Sequence, residues 1–126
     1  MATVNITKCN NRNIPTILNT VPTNITQAGK SQDFILKFES ADENSLIMVA
    51  NMGTNTVTVS LADNHGNQMK AYTVDSLEIA AISIESGGCK RSTGDIKLTI
   101  APSSAAVKLS ECDVFVAGIS TDVVTH

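Results

Sequence analysis

From Asp33 onward, about seven short apolar segments follow one another, divided by runs of Asn, Asp, Ser and Gly. Most of them alternate apolar with polar residues, as in DIKLTIA (95–101). Alternation with a period of two turns one face of a strand toward a core and the other toward water. Short strands at regular spacing are typical of a sandwich or a small barrel. The pattern therefore predicts an all-β fold, with a single antiparallel β-sandwich or small barrel over residues 33–120.

Two adjacent segments differ in how their apolar residues are arranged. SLIMVAN (45–51) is apolar on both faces, which favours a central strand whose second side is covered. In NTVTVSL (55–61) the valines share one face and the threonines the other, so one face is expected to be wet. The turn residues between the two segments include Gly53, and they predict a hairpin that pairs the strands.

The two ends of the chain differ from the middle. In residues 1–32, Pro15 and Pro22 interrupt short apolar pieces set among Asn and Thr. Proline removes a ladder hydrogen bond, so this segment is expected to be an extended N-terminal arm or to form edge strands. Residues 121–126 are expected to be a loose or docking tail.

Composition narrows the classes of partner. Apolar residues make up 42% of the 126 positions and charged residues 17%, with a net charge of −3. The nine lysines and arginines are scattered and aromatic residues are few, so nucleic acid is not an expected partner. No apolar stretch is long enough to cross a bilayer, and the N-terminus does not read as a secretion leader. We therefore expect no membrane partner and synthesis in the cytoplasm.

Cysteine and turn motifs predict no metal or cofactor. Cys9, Cys89 and Cys112 are widely spaced and fit neither a disulfide framework nor a zinc-binding pair. DNHGNQ (63–68) has a spacing like that of a calcium loop, but Val74 stands where such a loop needs a bidentate glutamate. Reduced thiols and a plain turn are expected instead.

The residues that could support catalysis are few. His65 lies in a predicted turn, and His126 ends the chain. A catalytic triad could combine His65 only with Cys89 or Cys112, and no recognisable motif flanks either thiol. Asp63 would have to supply the acid. The chain is therefore not expected to be an enzyme.

Between Phe34 and Ile119 the segments follow a distinctive order, FILKFES, DENSLIMVAN, NTVTVSL, ISIESGGCKR, DIKLTIA and DVFVA, and the chain opens with MATVNITK. This order and this opening resemble those of the capsid decoration, or head cement, proteins of tailed bacteriophages. The resemblance implies a protein on the exterior of the virion capsid, made in the host cytoplasm, that stabilises the head against the pressure of packaged DNA. The partner that the resemblance implies is the major capsid protein. Whether the chain also associates with itself as a trimer stays open.

The N-terminal segment is the candidate capsid-contacting site. An extended arm could bind by strand addition or by setting apolar side chains into pockets of the shell. The alternative is that the segment adds an edge strand to its own domain. The candidate capsid-binding residues are Thr3, Val4, Asn5, Ile6, Thr7, Ile14, Ile17 and Leu18.

Two other functional classes remain open. A tail-tube or baseplate subunit would share the fold but would polymerise by itself. A carbohydrate-binding β-sandwich module would present exposed aromatic rings to sugars, and this chain has no tryptophan and one tyrosine.

Overall fold

The structure, a computed structural model, describes residues 2–9, 13, 15–38, 44–62, 67–84 and 95–121. Within them, ten strands form two five-stranded sheets, and a 3-10 helix (Leu109–Glu111) precedes the last strand. Sheet A contains, in spatial order, β1 (Ala2–Asn5), β4 (Gln32–Lys37), β9 (Asp95–Pro102), β6 (Val57–Leu61) and β7 (Tyr72–Val74). Sheet B contains β2 (Thr7–Lys8) and β3 (Val21–Pro22), which both pair with β10 (Val114–Thr121), followed by β5 (Asn44–Asn51) and β8 (Ile79–Ile84).

The predicted all-β sandwich is confirmed. Seven strands, β4 to β10, follow Asp33 in the described residues, as the spacing of the apolar segments predicts. The pairing is not wholly antiparallel, because β1 lies parallel to β4 and β2 lies parallel to β10. Both parallel pairs involve the N-terminal strands, whose long connections to their partners permit that direction.

The core lies between the two sheets. Alternate residues of each long strand are buried, and the 3-10 helix adds Leu109 to the same cluster. Its largest fully buried side chains are Phe34, Leu36, Ile47, Ile96, Leu98, Ile100 and Leu109.

The N-terminal strands bridge the two sheets along one side of the sandwich. Val4 on β1 is fully buried in the core, and Ile6, between β1 and β2, packs against it. Gly118 leaves room for this crossing, because a Cβ there would overlap Cδ1 of Ile6 and lie 3.0 Å from Cδ2 of Leu36. The segment predicted as an arm or as edge strands thus contributes edge strands to both sheets in its described part.

β7 and β8 bridge the sheets along the opposite side. β7 is the last strand of sheet A on the side away from β1, and β8 is the last strand of sheet B on the side away from β2. The turn at residues 75–78 joins them. The free edges of the two sheets therefore meet along this side.

The predicted hairpin between SLIMVAN and NTVTVSL is wrong. β5 lies in sheet B between β10 and β8, and β6 lies in sheet A between β9 and β7. Both edges of each strand are occupied by other strands, so the chain crosses between sheets through residues 52–56. Packed sheets are about 10 Å apart, a gap that five extended residues can span. β5 is central, as predicted. The expected wet face of β6 is only partly present, since Thr58 is half-buried on the side away from the core and Ser60, on the same side of the strand, is buried.

A buried asparagine holds this crossing in place. Asn51 is fully buried, and its Nδ2 donates hydrogen bonds to the carbonyl oxygens of Asn55 at 2.8 Å and Val74 at 3.0 Å. Its Oδ1 accepts a hydrogen bond from the N–H of Gly53 at 3.2 Å. Only glycine fits at position 53, because a Cβ there would overlap the carbonyl oxygen of Cys112.

The C-terminal segment AVKLSECDVFVAGIS (106–120) was expected to be one bent strand or two short ones. Its first half is instead a turn and the 3-10 helix, and its second half is the single strand β10. Burial of Leu109 and Cys112 three residues apart suits a helical turn rather than an alternating strand. Residues 63–66, 85–94 and 122–126, on which the remaining turn and tail expectations fall, lie outside the described residues.

Because Val4 is fully buried, we predict that Val4→Ala lowers the free energy of unfolding by about 2 kcal/mol. The matched control is Thr3→Ala, an exposed neighbour on the same strand, which should change stability by less than about 0.5 kcal/mol. Urea unfolding followed by circular dichroism measures both. Equal midpoints for Val4→Ala and the wild type would show that β1 does not contribute to the core.

Candidate functional site

The outer face of sheet B is apolar except at its edges, where Ser83 pairs with Leu46 and Thr7 pairs with Ile119. Alternation along β5, β8 and β10 sends one set of side chains, including Ile47, Val49 and Val116, into the core and the other set outward. Strand pairing brings the outward set together, as where Met48 lies opposite Ala81. We call this surface the apolar face. Its residues are Leu46, Met48, Ala50, Ile79, Ala81, Phe115, Ala117 and Ile119.

The apolar face is uncharged, and no described strand or helix stacks on it as a third layer. Ile79 and Ala81 are exposed, Ala117 is buried, and the other members are half-buried. The described strands and the 3-10 helix supply no further element that stacks on this face. The cover that the sequence predicts for the second side of SLIMVAN is therefore not a strand or helix within the described residues. Contiguous apolar surface of this kind marks interaction sites in proteins.

The outer face of sheet A is polar, in contrast. Asp33 and Lys97 form an ion pair with 3.5 Å between their charged atoms, and the Thr99 hydroxyl donates to Asp33 Oδ1 at 2.8 Å. Thr58 also lies there, and Ile35 is half-buried among these polar groups. Removing water from polar groups costs free energy, so a partner would lose less free energy of desolvation on the outer face of sheet B than on that of sheet A.

A cleft lies along the side where β7 and β8 meet. Two adjoining cavities of about 140 and 370 Å³ share Val59, Tyr72 and Ile82 in their walls. Tyr72 is 65% exposed as a residue, and Lys70 Nζ lies 5.5 Å from the centroid of its ring. One exposed ring beside an apolar cleft could accept an apolar side chain or one face of a sugar. The sequence does not predict this cleft, because the exposure of a lone tyrosine cannot be inferred from its neighbours in the chain.

The predicted capsid-binding residues are distributed between the core and the surface. Val4 and Ile6 pack inside the protein's own sandwich, whereas the intervening Asn5 is exposed. Ile17 is 90% exposed, and Leu18 is half-buried. Thr3 is exposed, Thr7 is half-buried and Ile14 lies outside the described residues. Contact of these residues with a capsid stays a prediction.

Cys112 serves packing. It is fully buried, and its Sγ–H donates to the carbonyl oxygen of Lys108 at 3.3 Å. Burial, followed by the negative charges of Glu111 and Asp113, raises the pKa of the Cys112 thiol, so it is protonated at neutral pH. The other candidate catalytic residues, Asp63, His65, Cys89 and His126, lie outside the described residues.

The described residues bring together no group of three or more His, Cys, Asp or Glu side chains that could hold a metal ion. Their one helix, the three-residue 3-10 turn, is far too short to cross a membrane.

No protein-family model and no curated protein matches the chain. Among solved structures, a family 35 carbohydrate-binding module from an environmental isolate is 15% identical with a TM-score of 0.47, and the match covers 94% of this chain and 83% of that one. The C-terminal domain of EclA, described as a sugar-binding protein, is 17% identical with a TM-score of 0.42 over 82% of this chain and 76% of that one. The carbohydrate-binding module CBM36 with calcium and xylotriose is 15% identical, with a TM-score of 0.37, 79% and 75% coverage. With TM-scores below 0.5, no ligand or site is assigned to this chain from them.

Proposed function

We propose that this chain is a non-catalytic binding subunit that attaches to a large protein assembly through the apolar face of sheet B. One observation carries the proposal: a two-layer sandwich has one polar outer face and one uncharged apolar outer face, with Ile79 and Ala81 exposed on the latter. Isolated apolar residues on a surface need no explanation, but a continuous set drawn from three paired strands does.

The assembly is the head of a tailed bacteriophage, and the partner is its major capsid protein. The resemblance of the segments from Phe34 to Ile119 to capsid decoration proteins supports this choice. Such a role needs no reactive groups, because a ligand that binds only the assembled lattice stabilises it by mass action. When the concentration of free chain is a hundred times the Kd, binding stabilises the assembled shell by about 2.7 kcal/mol per site, and this gain is repeated at every site.

The test places one charge on each outer face. We predict that Ala81→Glu, on the exposed part of the apolar face, abolishes co-sedimentation with phage heads that lack the chain, because the carboxylate would have to be buried at the interface. The matched control is Thr73→Glu, an exposed position on a short edge strand that borders the same 370 Å³ cavity as Ala81 but lies on the polar face of sheet A. It should bind heads as the wild type does.

Circular dichroism establishes that both variants are folded before binding is measured. Binding by Ala81→Glu at wild-type affinity would refute docking through the apolar face. Failure of the wild type itself to bind heads would refute the capsid as the partner.

Carbohydrate binding is the second candidate, and Tyr72 is the observation that favours it. The ring is exposed beside an apolar cleft, and Lys70 could donate a hydrogen bond to a sugar hydroxyl there. The similar structures named above include carbohydrate-binding modules, but their TM-scores are too low to support a shared function. Support for sugar binding therefore rests on Tyr72 alone. A single ring offers less stacking surface than several would.

Tyrosine fluorescence separates the two candidates, because Tyr72 is the only tyrosine and the chain has no tryptophan. If the chain binds sugars at the cleft, titration with cellohexaose or xylotriose changes the Tyr72 emission to saturation, and Tyr72→Ala abolishes the heat of binding in calorimetry. If it binds a capsid through the apolar face, neither sugar changes the emission, and Tyr72→Ala still co-sediments with heads.

A further inference from the structure

Three exposed apolar side chains lie on segments that hydrogen bonds join at one end of the apolar face. Met52 is 50% exposed, Leu77 is 72% exposed and Ile79 is 58% exposed. Two hydrogen bonds join their segments, from the Ser76 hydroxyl to the carbonyl oxygen of Gly53 and from the backbone N–H of residue 51 to the carbonyl oxygen of residue 78. We call Met52, Leu77 and Ile79 the apolar tip. It continues the apolar face, to which Ile79 belongs.

Leu77 is held in an unfavourable backbone conformation. Its φ is +63°, a region that bulky side chains rarely adopt. It is the third residue of the four-residue turn at 75–78, a position where turns with positive φ prefer glycine or asparagine. Leucine here neither suits the backbone nor gains burial, so folding alone does not account for it. Strained residues persist where the surrounding structure holds them, often at functional sites.

The turn that carries Leu77 is held by its own hydrogen bonds. The N–H of Asp75 donates to Glu78 Oε1 at 2.7 Å, and the N–H of Glu78 donates back to the carbonyl oxygen of Asp75 at 3.1 Å. The Thr56 hydroxyl donates to Asp75 Oδ1 at 3.1 Å. A side chain displayed on such a turn loses little backbone entropy on binding, which is the condition for an efficient anchor.

The surroundings of the apolar tip are acidic. The segments that form and flank it, residues 51–55, 75–79 and 111–115, contain Asp75, Glu78, Glu111 and Asp113 and no lysine or arginine. Asp113 is adjacent to the tip, because its carbonyl oxygen accepts the N–H of Met52 at 3.0 Å. Charges of one sign around an apolar centre select a partner with the opposite charge around its pocket.

From these observations we infer that the apolar tip is the anchor of the docking surface, with Leu77 entering an apolar pocket bordered by lysine or arginine on the partner protein. The inference rests on the proposed function and adds to it, since it names the end of the molecule that enters the shell and the chemistry of the receiving site. Leu77 fills the pocket, and Asp75 and Glu78 meet the basic border.

The first test replaces Leu77 with a residue that suits its backbone. Leu77→Asn should unfold at the same or a higher urea concentration than the wild type, because asparagine tolerates positive φ. It should nevertheless raise the Kd for phage heads lacking the chain about 30-fold, equivalent to about 2 kcal/mol for an anchor residue. The matched control is Ala71→Asn, an exposed apolar position before the far end of β7, which should leave the Kd unchanged.

The second test addresses the charge of the partner. The double variant Asp75→Asn/Glu78→Gln should weaken binding to heads at low ionic strength and reduce the dependence of Kd on salt, since fewer charge pairs would be screened. An unchanged salt dependence would refute the basic border.

The outcomes separate this inference from the proposed function. Failure of wild-type chain to bind heads overturns both. If wild type and Leu77→Asn bind heads with equal Kd, the anchor role of the apolar tip is refuted and the proposed function stands. A marked loss of stability in Leu77→Asn would likewise refute only the anchor role. A wild-type dimer in sedimentation velocity that Leu77→Asn dissociates would show that the tip binds a second copy of the chain, which also overturns the inference.

Discussion

The buried side chain of Asn51 is the interaction on which the rest of the structure depends. It sits where the chain leaves sheet B, and all of its hydrogen bonds end on the connection to sheet A or on Val74 of β7. An unsatisfied buried amide would cost about 1–3 kcal/mol, so the crossing has one favourable geometry. That geometry places Met52 at the surface and brings the turn at residues 75–78 against Gly53. A polar group in the core thus determines which apolar groups are displayed outside it.

The difference between the two outer faces follows from where each strand lies. β5 and β10 carry apolar residues on both faces, over Leu46–Ala50 and Val114–Ala117, and they are neighbours in sheet B. β6 and β9 mostly alternate apolar with polar residues, β4 does so apart from Ile35, and all three lie in sheet A. The sorting concentrates the strands with two apolar sides in one layer, where a sandwich of two layers can bury only one of those sides. No described strand or helix covers the remaining side.

Much of the fold could be predicted from the sequence, because alternation reports directly on which side of a strand meets the core. The seven strands after Asp33 and the central place of SLIMVAN followed from this pattern. The sheet to which each strand belongs did not, since a turn with Gly53 can close a hairpin or carry the chain across to the other sheet. The deciding contacts, Asn51 with Val74 and Gly53 with Cys112, join residues far apart in sequence.

The candidate site was harder to predict than the fold. SLIMVAN indicated that something must cover its second side, which pointed toward the apolar face without locating its other strands. Val4 and Ile6 were candidates both for capsid contact and for an internal edge strand, because the sequence cannot distinguish an apolar residue that docks internally from one that binds a partner. The position of Leu77 in a strained turn depends on φ, which a single leucine between serine and glutamate does not reveal.

The most direct measurement of how this chain acts is electron cryomicroscopy of phage heads saturated with it, at a resolution that separates the two sheets. We expect the apolar face and the Met52–Leu77–Ile79 tip to lie against the shell, with the polar face of sheet A toward solvent. Density in which sheet A or the cleft beside Tyr72 touches the shell, with the apolar face exposed to water, would contradict this arrangement.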